Sequence, residues 1–397
     1  MSKLEECILG DLVEFQRGYD LPKSKFVEGK YPVQSSNGIL GYHNEYKVEG
    51  PGITIGRSGT VGNPHLIREN FFPHNTSLFV KEFKGNDIEY IYYLLQYLDL
   101  GNQKSGSGVP TVNRNHLHPI KIRAYRDKTY QQRTIKILSL IDKKIQINNQ
   151  INQELEAMAK TLYDYWFVQF DFPDQNGKPY KSSGGKMVYN PELKREIPEG
   201  WGVEKLDDLG TIVGGSTPTK SISDNFTKGG EGYSWITPND LSNNKGNKFI
   251  KNGEIDVTMG GLKDASLKLY PEGTVLMSSR APVGYLAIST KEVTTNQGFK
   301  SFIPDKKYGK NYIYYTLQNN LKVIEQHASG STFKEISATV LKDITIIQPS
   351  LDVVKKFEEK VSSINSYIKV NEEQNQELTQ LRDWLLPMLM NGQVKVE

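Results

Sequence analysis

The sequence predicts an α+β/α/β chain: two similar mixed α/β domains, each followed by a long helix, with the two helices pairing as an antiparallel coiled coil. Three observations predict it. The chain repeats itself in collinear order. Heptad-spaced apolar residues close each half. Short β-type runs bounded by glycine precede each helix.

The repeat is the strongest of these. Residues 90–96 read YIYYLLQ and residues 312–318 read YIYYTLQ, with six of seven positions matching at an offset of 222. Ser105, Gly106 and Ser107 recur as Ser329, Gly330 and Ser331, and Leu117, Ile120 and Ile122 recur as Leu341, Ile344 and Ile346. NQEL at 152–155 recurs at 375–378. Upstream, residues 12–18 resemble 209–215 and residues 57–62 resemble 280–284, so insertions lie early in the second half. One matched heptapeptide arises by chance; a collinear series marks a tandem duplication.

Taken in order, the first domain covers residues 1–130. Its β-type runs are 52–56 (GITIG), 77–80 (SLFV) and 120–125 (IKIRAY), rich in Val, Ile, Thr and Phe. Asp87 stands where it would cap the YIYY helix, and the tyrosine stripe reads as core. The first long helix occupies 131–170. Residues 171–195 are a linker in a stretch rich in Pro, Gly, Ser and Lys. The second domain covers 196–348, with runs at 274–278, 300–303 and 344–348 and with Asn311 in the capping position. The second long helix covers 349–391 and a tail follows at 392–397.

The seam of the first helix runs Leu138, Ile141, Ile145, Asn148, Asn152, Leu155, Ala159, Leu162, Trp166. That of the second runs Val361, Ile364, Ile368, Asn371, Asn375, Leu378, Arg382, Leu385, Leu389, offset by 223 throughout. Spacing of three and four puts each set on one helical face, and the seam spans roughly 40 Å. Buried asparagine costs stability but fixes register, and both seams carry it at the same levels: Asn148 and Asn152, Asn371 and Asn375. A duplication joined by a whole domain favours antiparallel pairing. The alternative is that each helix packs on its own domain.

Composition limits the chemistry. The charge of +3 is too small for a strong field, so a polyanionic partner needs local basic patches. Cys7 is the single cysteine, which rules out an internal disulfide and a cysteine metal cluster. His116 and His118 have no further ligand beside them, so no metal and no cofactor is expected. No apolar run approaches the length of a membrane span, and the N-terminus lacks a signal-peptide pattern; a cytoplasmic protein is expected. The chain has no phosphate-loop motif, no Asn-Pro-Pro-aromatic motif and no G-x-S-x-G elbow. Asp174, Glu192 and Lys194 have the residue order of a Mg²⁺-dependent nuclease. They fall in the linker, where a catalytic site lacks rigid support.

The polar loops suit binding better. Arg57, Ser58 and Thr60 follow one strand, and Ser279 and Arg280 follow its repeat. Lys104, Ser105 and Ser107 lead to Thr111, Asn113 and Arg114; Ser329, Ser331, Thr332 and Lys334 form the matching loop. Small residues let backbone N–H groups approach phosphate, and arginine reaches a phosphate or a guanine edge. Asn75, Asn296 and Gln297 have the amide geometry that reads adenine. Any one of these fits a solvated turn; appearing twice in register, the set favours DNA.

Several strings carry a family resemblance. YDYWFVQFDFP at 163–173 ends the first helix, IPEGW at 197–201 opens the second domain, NQGF lies at 296–299, and LLPMLMNG at 385–392 closes the second helix. On these the chain resembles, over essentially its whole length, the specificity subunit (HsdS) of type I restriction–modification systems. The resemblance implies two target-recognition domains, each reading one half of a split, asymmetric site in double-stranded DNA. It implies that the helices space those domains and dock two adenine methyltransferase subunits. Those subunits, and not this chain, would use S-adenosylmethionine, and ATP-driven restriction subunits would join them. The first half departs from the second at the NQG string, having Asn75-Thr76-Ser77. The competing readings are the Asp174/Glu192/Lys194 nuclease and a coiled-coil scaffold that binds protein.

Overall fold

The computed structural model describes residues 4–102, 111–280, 282–305, 307–330 and 334–394. The chain divides into two compact units, Met1–Ile147 with Asn375–Glu397 and Asn148–Gln374. Each boundary falls within a long helix.

In the first unit the strands are β1 (Glu5–Ile8), β2 (Glu14–Arg17), β3 (Tyr31–Ser35), β4 (Gly38–His43), β5 (Gly52–Gly56), β6 (Pro64–Ile67), β7 (Phe72–Pro73), β8 (Ser77–Glu82) and β9 (Lys121–Ala124). The helices are α1 (Ile88–Tyr97), α2 (Arg114–Leu117) and the start of α3 (Lys128–Tyr163). One sheet has the order β2-β8-β5-β6, a second β4-β3-β7, and β1 pairs with β9. All five residues of β5 are buried, so the GITIG run is continuous rather than alternating. The Asp87 side chain accepts from Tyr90 N at 3.0 Å and caps α1. Tyr90, Ile91, Tyr93 and Leu94 then face a core shared with Leu138, Leu389 and Met390.

The second unit holds β10 (Met187–Asn190), β11 (Arg195–Pro198), β12 (Gly202–Lys205), β13 (Gly210–Val213), β14 (Phe226–Lys228), β15 (Tyr233–Ile236), β16 (Phe249–Ile250), β17 (Ile255–Val257), β18 (Val275–Ser279), β19 (Val283–Ser289), β20 (Val293–Thr295), β21 (Ser301–Pro304) and β22 (Thr345–Gln348). Its helices are the end of α3, then α4 (Pro238–Asn243), α5 (Met259–Asp264), α6 (Lys310–His327), α7 (Ala338–Lys342) and α8 (Leu351–Met390), which ends in the first unit. One sheet runs β13-β21-β18-β19-β16 and another β14-β17-β15-β20. β12 pairs with β22 as β1 does with β9. Residues 214–265, where the repeat drifts, hold β14, β15, β16, β17, α4 and α5. Phe170, Phe172 and Trp201, which flank the β10–β11 hairpin, and Ile197 of β11 are buried in this unit's main core.

One expectation is corrected. Gly309, not Asn311, is the N-cap of α6. Asn311 lies inside the helix and donates through Nδ2 to Glu358 Oε2 (2.8 Å) and Ser362 Oγ (3.1 Å). The free N–H of Tyr312 is answered from a distance, by Glu358 Oε1 at 2.7 Å. A Cβ on Gly309 would lie 2.4 Å from the Glu358 carboxyl carbon, so the glycine admits that carboxylate.

The two long helices pair antiparallel. In the second unit Asn371 Nδ2 donates to Asn152 Oδ1 (2.9 Å) and Asn148 Nδ2 to Gln374 Oε1 (2.8 Å). In the first unit Arg382 Nη1 meets Asp142 Oδ1 at 3.0 Å. Partner numbers fall on α8 as they rise on α3. The seam positions of both helices are buried or half-buried, as heptad spacing requires.

Candidate nucleic-acid interface

In the first unit the loop after β5 folds back on its strand. Gly62 N donates to Gly56 O (2.9 Å), and a Cβ on Gly56 would meet Thr60 O at 1.7 Å. Arg57 N and Ser58 N both donate to Thr76 O, at 2.9 and 3.2 Å. Arg57 O accepts from Val112 N (2.9 Å), and Ser58 bridges Thr111. The fold therefore brings Arg57, Ser58, Asn75 and Thr111 together from three separate segments. The Arg57 guanidinium donates to Asn75 O at 3.3 Å. The Asn75 amide donates to Asp20 Oδ1, which also accepts from Arg17 at 3.0 Å. Thr60 is exposed near the loop tip, and Arg114 is exposed at the start of α2. Asn113 serves its own helix, since its Oδ1 accepts from Asn115 N at 3.0 Å and caps α2. Lys104, Ser105 and Ser107 lie outside the described residues.

The second unit repeats the construction. Ser279 O, at the end of β18, accepts from Ile336 N (3.0 Å), the counterpart of the Arg57–Val112 bond. Arg280 bridges Glu335, and their charged groups stand 3.8 Å apart. Ser329 pairs with Glu335 in both directions, at 3.0 and 2.9 Å. In each unit the end of a buried strand is thus tied to the segment that leads into a short helix, α2 or α7. Ser279 itself is wholly buried. Asn296 Oδ1 accepts from Gly298 N (2.8 Å), and Gln297 Oε1 from Thr217 Oγ1 (2.5 Å). Lys334 is exposed. Ser331 and Thr332 lie outside the described residues.

Sequence reasoning missed the acidic members. Asp20 and Glu335 temper Arg17, Arg57's neighbourhood and Arg280, and all are surface pairs of small individual worth. It also missed Ser36, whose N–H reaches Thr76 Oγ1 at 3.4 Å. The signal was present: Asn37-Gly38 is a hairpin dipeptide, and it turns β3 into β4 beside the Arg57 loop, with Gly38 at φ 104°. His74 Nδ1 lies 3.1 Å from Thr76 Oγ1, and burial holds its pKa below the ordinary histidine value.

The nuclease-like residues are engaged in turns. Asp174 Oδ1 accepts from Asn176 N (2.7 Å) and Lys178 N (2.8 Å). Glu192 and Lys194 lie in the β10–β11 turn, and Glu192 accepts from Thr345 Oγ1 at 3.3 Å. Among the described residues no group of three or more His, Cys, Asp or Glu is arranged to hold a metal ion. Nor is any helix there long and apolar enough to cross a membrane.

Fold and loops define a class: a duplicated α/β protein on paired helices, with one polar loop cluster in each half. Comparison with known proteins narrows it. The family model for the type I restriction modification DNA specificity domain matches residues 1–157 and 198–380. The chain belongs to that family, and it is the specificity subunit of a type I restriction–modification system. It is 36% identical over 202 residues to the type I restriction enzyme MjaIX specificity subunit of Methanocaldococcus jannaschii, covering 49% of this chain and 46% of that protein. It is 29% identical over 379 residues to the HindI specificity subunit of Haemophilus influenzae, covering 81% of each. The crystal structure of the type I S subunit from M. genitalium shares the fold, with TM-score 0.58, 16% identity and coverage of 98% of this chain and 96% of that one.

Proposed function

We propose that the chain is the non-catalytic reader of a bipartite, asymmetric DNA target, each unit contacting one half-site through its loop cluster. The carrying observation is the repeated tie between strand end and helix-leading segment, Arg57–Val112 in one unit and Ser279–Ile336 in the other. A rigid strand end presents an arginine beside serine, threonine and amide groups, which suits phosphate and base-edge contact. The clusters differ in sequence, so the half-sites differ. Arg57, Ser58, Thr60, Asn75, Thr111, Asn113 and Arg114 serve the first, with Lys104, Ser105 and Ser107. Arg280, Asn296, Gln297, Ser329 and Lys334 serve the second, with Ser331 and Thr332. Residues 1–130 and 196–348 act as the two recognition domains, joined through the linker at 171–195, and the helices act as spacer.

The helices also dock two methyltransferase subunits, with restriction subunits joining the complex in the cytoplasm. Exposed apolar side chains support this. The first unit shows Ile137, Leu140, Leu381 and Trp384 on its helical segments, and the second shows Ile151, Met158, Tyr367 and Val370. Uncovered large apolar groups on a helix surface mark a partner's seat. The test is mapping of methylated adenines in cells with and without this chain. One split, asymmetric motif present only with the chain is expected. Methylation of a single undivided motif, or methylation unchanged by removing the chain, sinks the reading.

A further inference from the structure

We infer that Lys248 is a positioning residue: buried between the sheet of the second unit and both long helices, it sets the angle at which that recognition domain is held and thereby the gap the complex accepts between half-sites. The inference rests on the bipartite reading above.

Lys248 directly precedes β16, the edge strand of the five-stranded sheet. Only 3% of its side chain is exposed. Its ammonium donates to Glu156 Oε2 on α3 (2.6 Å), to Asn365 Oδ1 on α8 (2.9 Å) and to Tyr315 Oη on α6. It also lies 4.2 Å from the Tyr315 ring centre and 4.6 Å from that of Tyr314. Three elements thus converge on one cation. The backbone completes the joint. Lys248 N and Phe249 N donate to the two oxygens of Glu372 on α8, at 2.7 and 3.0 Å, so a helix carboxylate answers the free N–H groups of a sheet edge. Burial lowers the Lys248 pKa to about 8 and raises that of Glu372 to about 7.

Comparison with the first unit shows why this lysine is special. There Tyr93 Oη donates to Asp142 (2.6 Å), and the cation on Asp142 is Arg382, a residue of α8 itself. By the repeat, Tyr93 corresponds to Tyr315, Asp142 to Asn365 and Arg382 to Ala159. The second unit therefore lacks a cation at the corresponding helix position. Its replacement, Lys248, comes from beside β16, the strand by which this five-stranded sheet exceeds the four-stranded sheet of the first unit. In the first unit the cation ties helix to helix; in the second it ties the sheet to both helices. Ion-pair and hydrogen-bond geometry is directional, whereas apolar packing tolerates sliding. A joint of this kind fixes an angle.

The experiment uses the full chain assembled with its methyltransferase partner. Methylation rates are measured on duplexes carrying both half-sites at the native gap and at gaps one and two base pairs longer or shorter. The wild type should favour the native gap by about tenfold or more, as a geometric half-site constraint demands. K248M should reduce that preference to about twofold while leaving the base preference within each half-site unchanged. Because K248M leaves Glu156 without its cation, the double variant K248M/E156M is measured as well; Glu372 keeps its two backbone N–H partners, and removing the Lys248 and Glu156 charges together should keep the unit folded. It too should lose gap preference, at a Tm near the wild-type value. Wild-type gap preference in the double variant overturns the inference, as does an equal loss of rate at every gap. A wild-type complex with no preferred gap overturns the bipartite reading instead, and this inference with it.

Discussion

At the scale of single residues, the two arginines that follow the buried strands are held differently. Arg57 is steadied by the Asn75 carbonyl at 3.3 Å, an uncharged acceptor. Arg280 faces the Glu335 carboxylate at 3.8 Å, and the DNA contact proposed for it would compete with that attraction. Replacing either with Ala should weaken binding by about 1–3 kcal/mol if it reads a base, and only for targets carrying the cognate half-site. A loss shared by all sequences, with a shallower salt dependence, identifies a phosphate contact. E335A should strengthen Arg280-dependent binding. Equilibrium binding of the assembled complex to duplexes mutated in one half-site measures all three, and unchanged affinity in both R57A and R280A rejects the chosen loops. Asn113 differs from the rest of this set. Its cap on α2 means that N113A alters loop and helix together, by about 1 kcal/mol of helix stability.

At the scale of elements, the asparagine layers make the paired helices specific. Asn152 accepts from Asn371 Nδ2 at 2.9 Å, and Asn148 is wholly buried. An asparagine facing an apolar partner loses its hydrogen bond, which disfavours any slipped register. N371A should therefore cost about 1–3 kcal/mol, because the Asn152 amide is left without that partner in a nearly dry seam. N152L/N371L together should restore or raise stability while loosening register, since two apolar groups satisfy each other. Denaturant unfolding gives the energies, and disulfide cross-linking of engineered cysteine pairs one heptad out of register reads the slippage. A double variant less stable than N371A contradicts the account.

At the scale of the whole molecule, the helices are the proposed ruler. A rise of about 1.5 Å per residue means a matched heptad in both helices adds about 10 Å, or roughly 3 base pairs at about 3.4 Å each. Inserting seven residues in both at equivalent seam levels should lengthen the unspecified gap by that amount. Inserting them in one helix alone should break the asparagine register and abolish activity. Methylation mapping of the matched variant decides; an active complex with an unchanged gap shows that the helices do not set the spacing.

Much of this molecule is legible in local pattern. GITIG is β5 residue for residue, Asp87 caps α1, and both heptad seams face inward, because strand composition, capping and helical period act over a few residues. The duplication follows from repeated strings alone. Tertiary structure decides what depends on residues far apart in the chain. Asn311 reads as a cap, yet Glu358, forty-seven residues on, answers that helix end and makes Gly309 the capping position. Arg280 reads as a phosphate- or guanine-reaching arginine, and folding brings Glu335 beside it. Nothing in the string KGNKFI marks Lys248, and only folding buries it among Glu156, Tyr315 and Asn365. Periodicity is written along the chain; desolvation of a charge exists only once distant segments close over it.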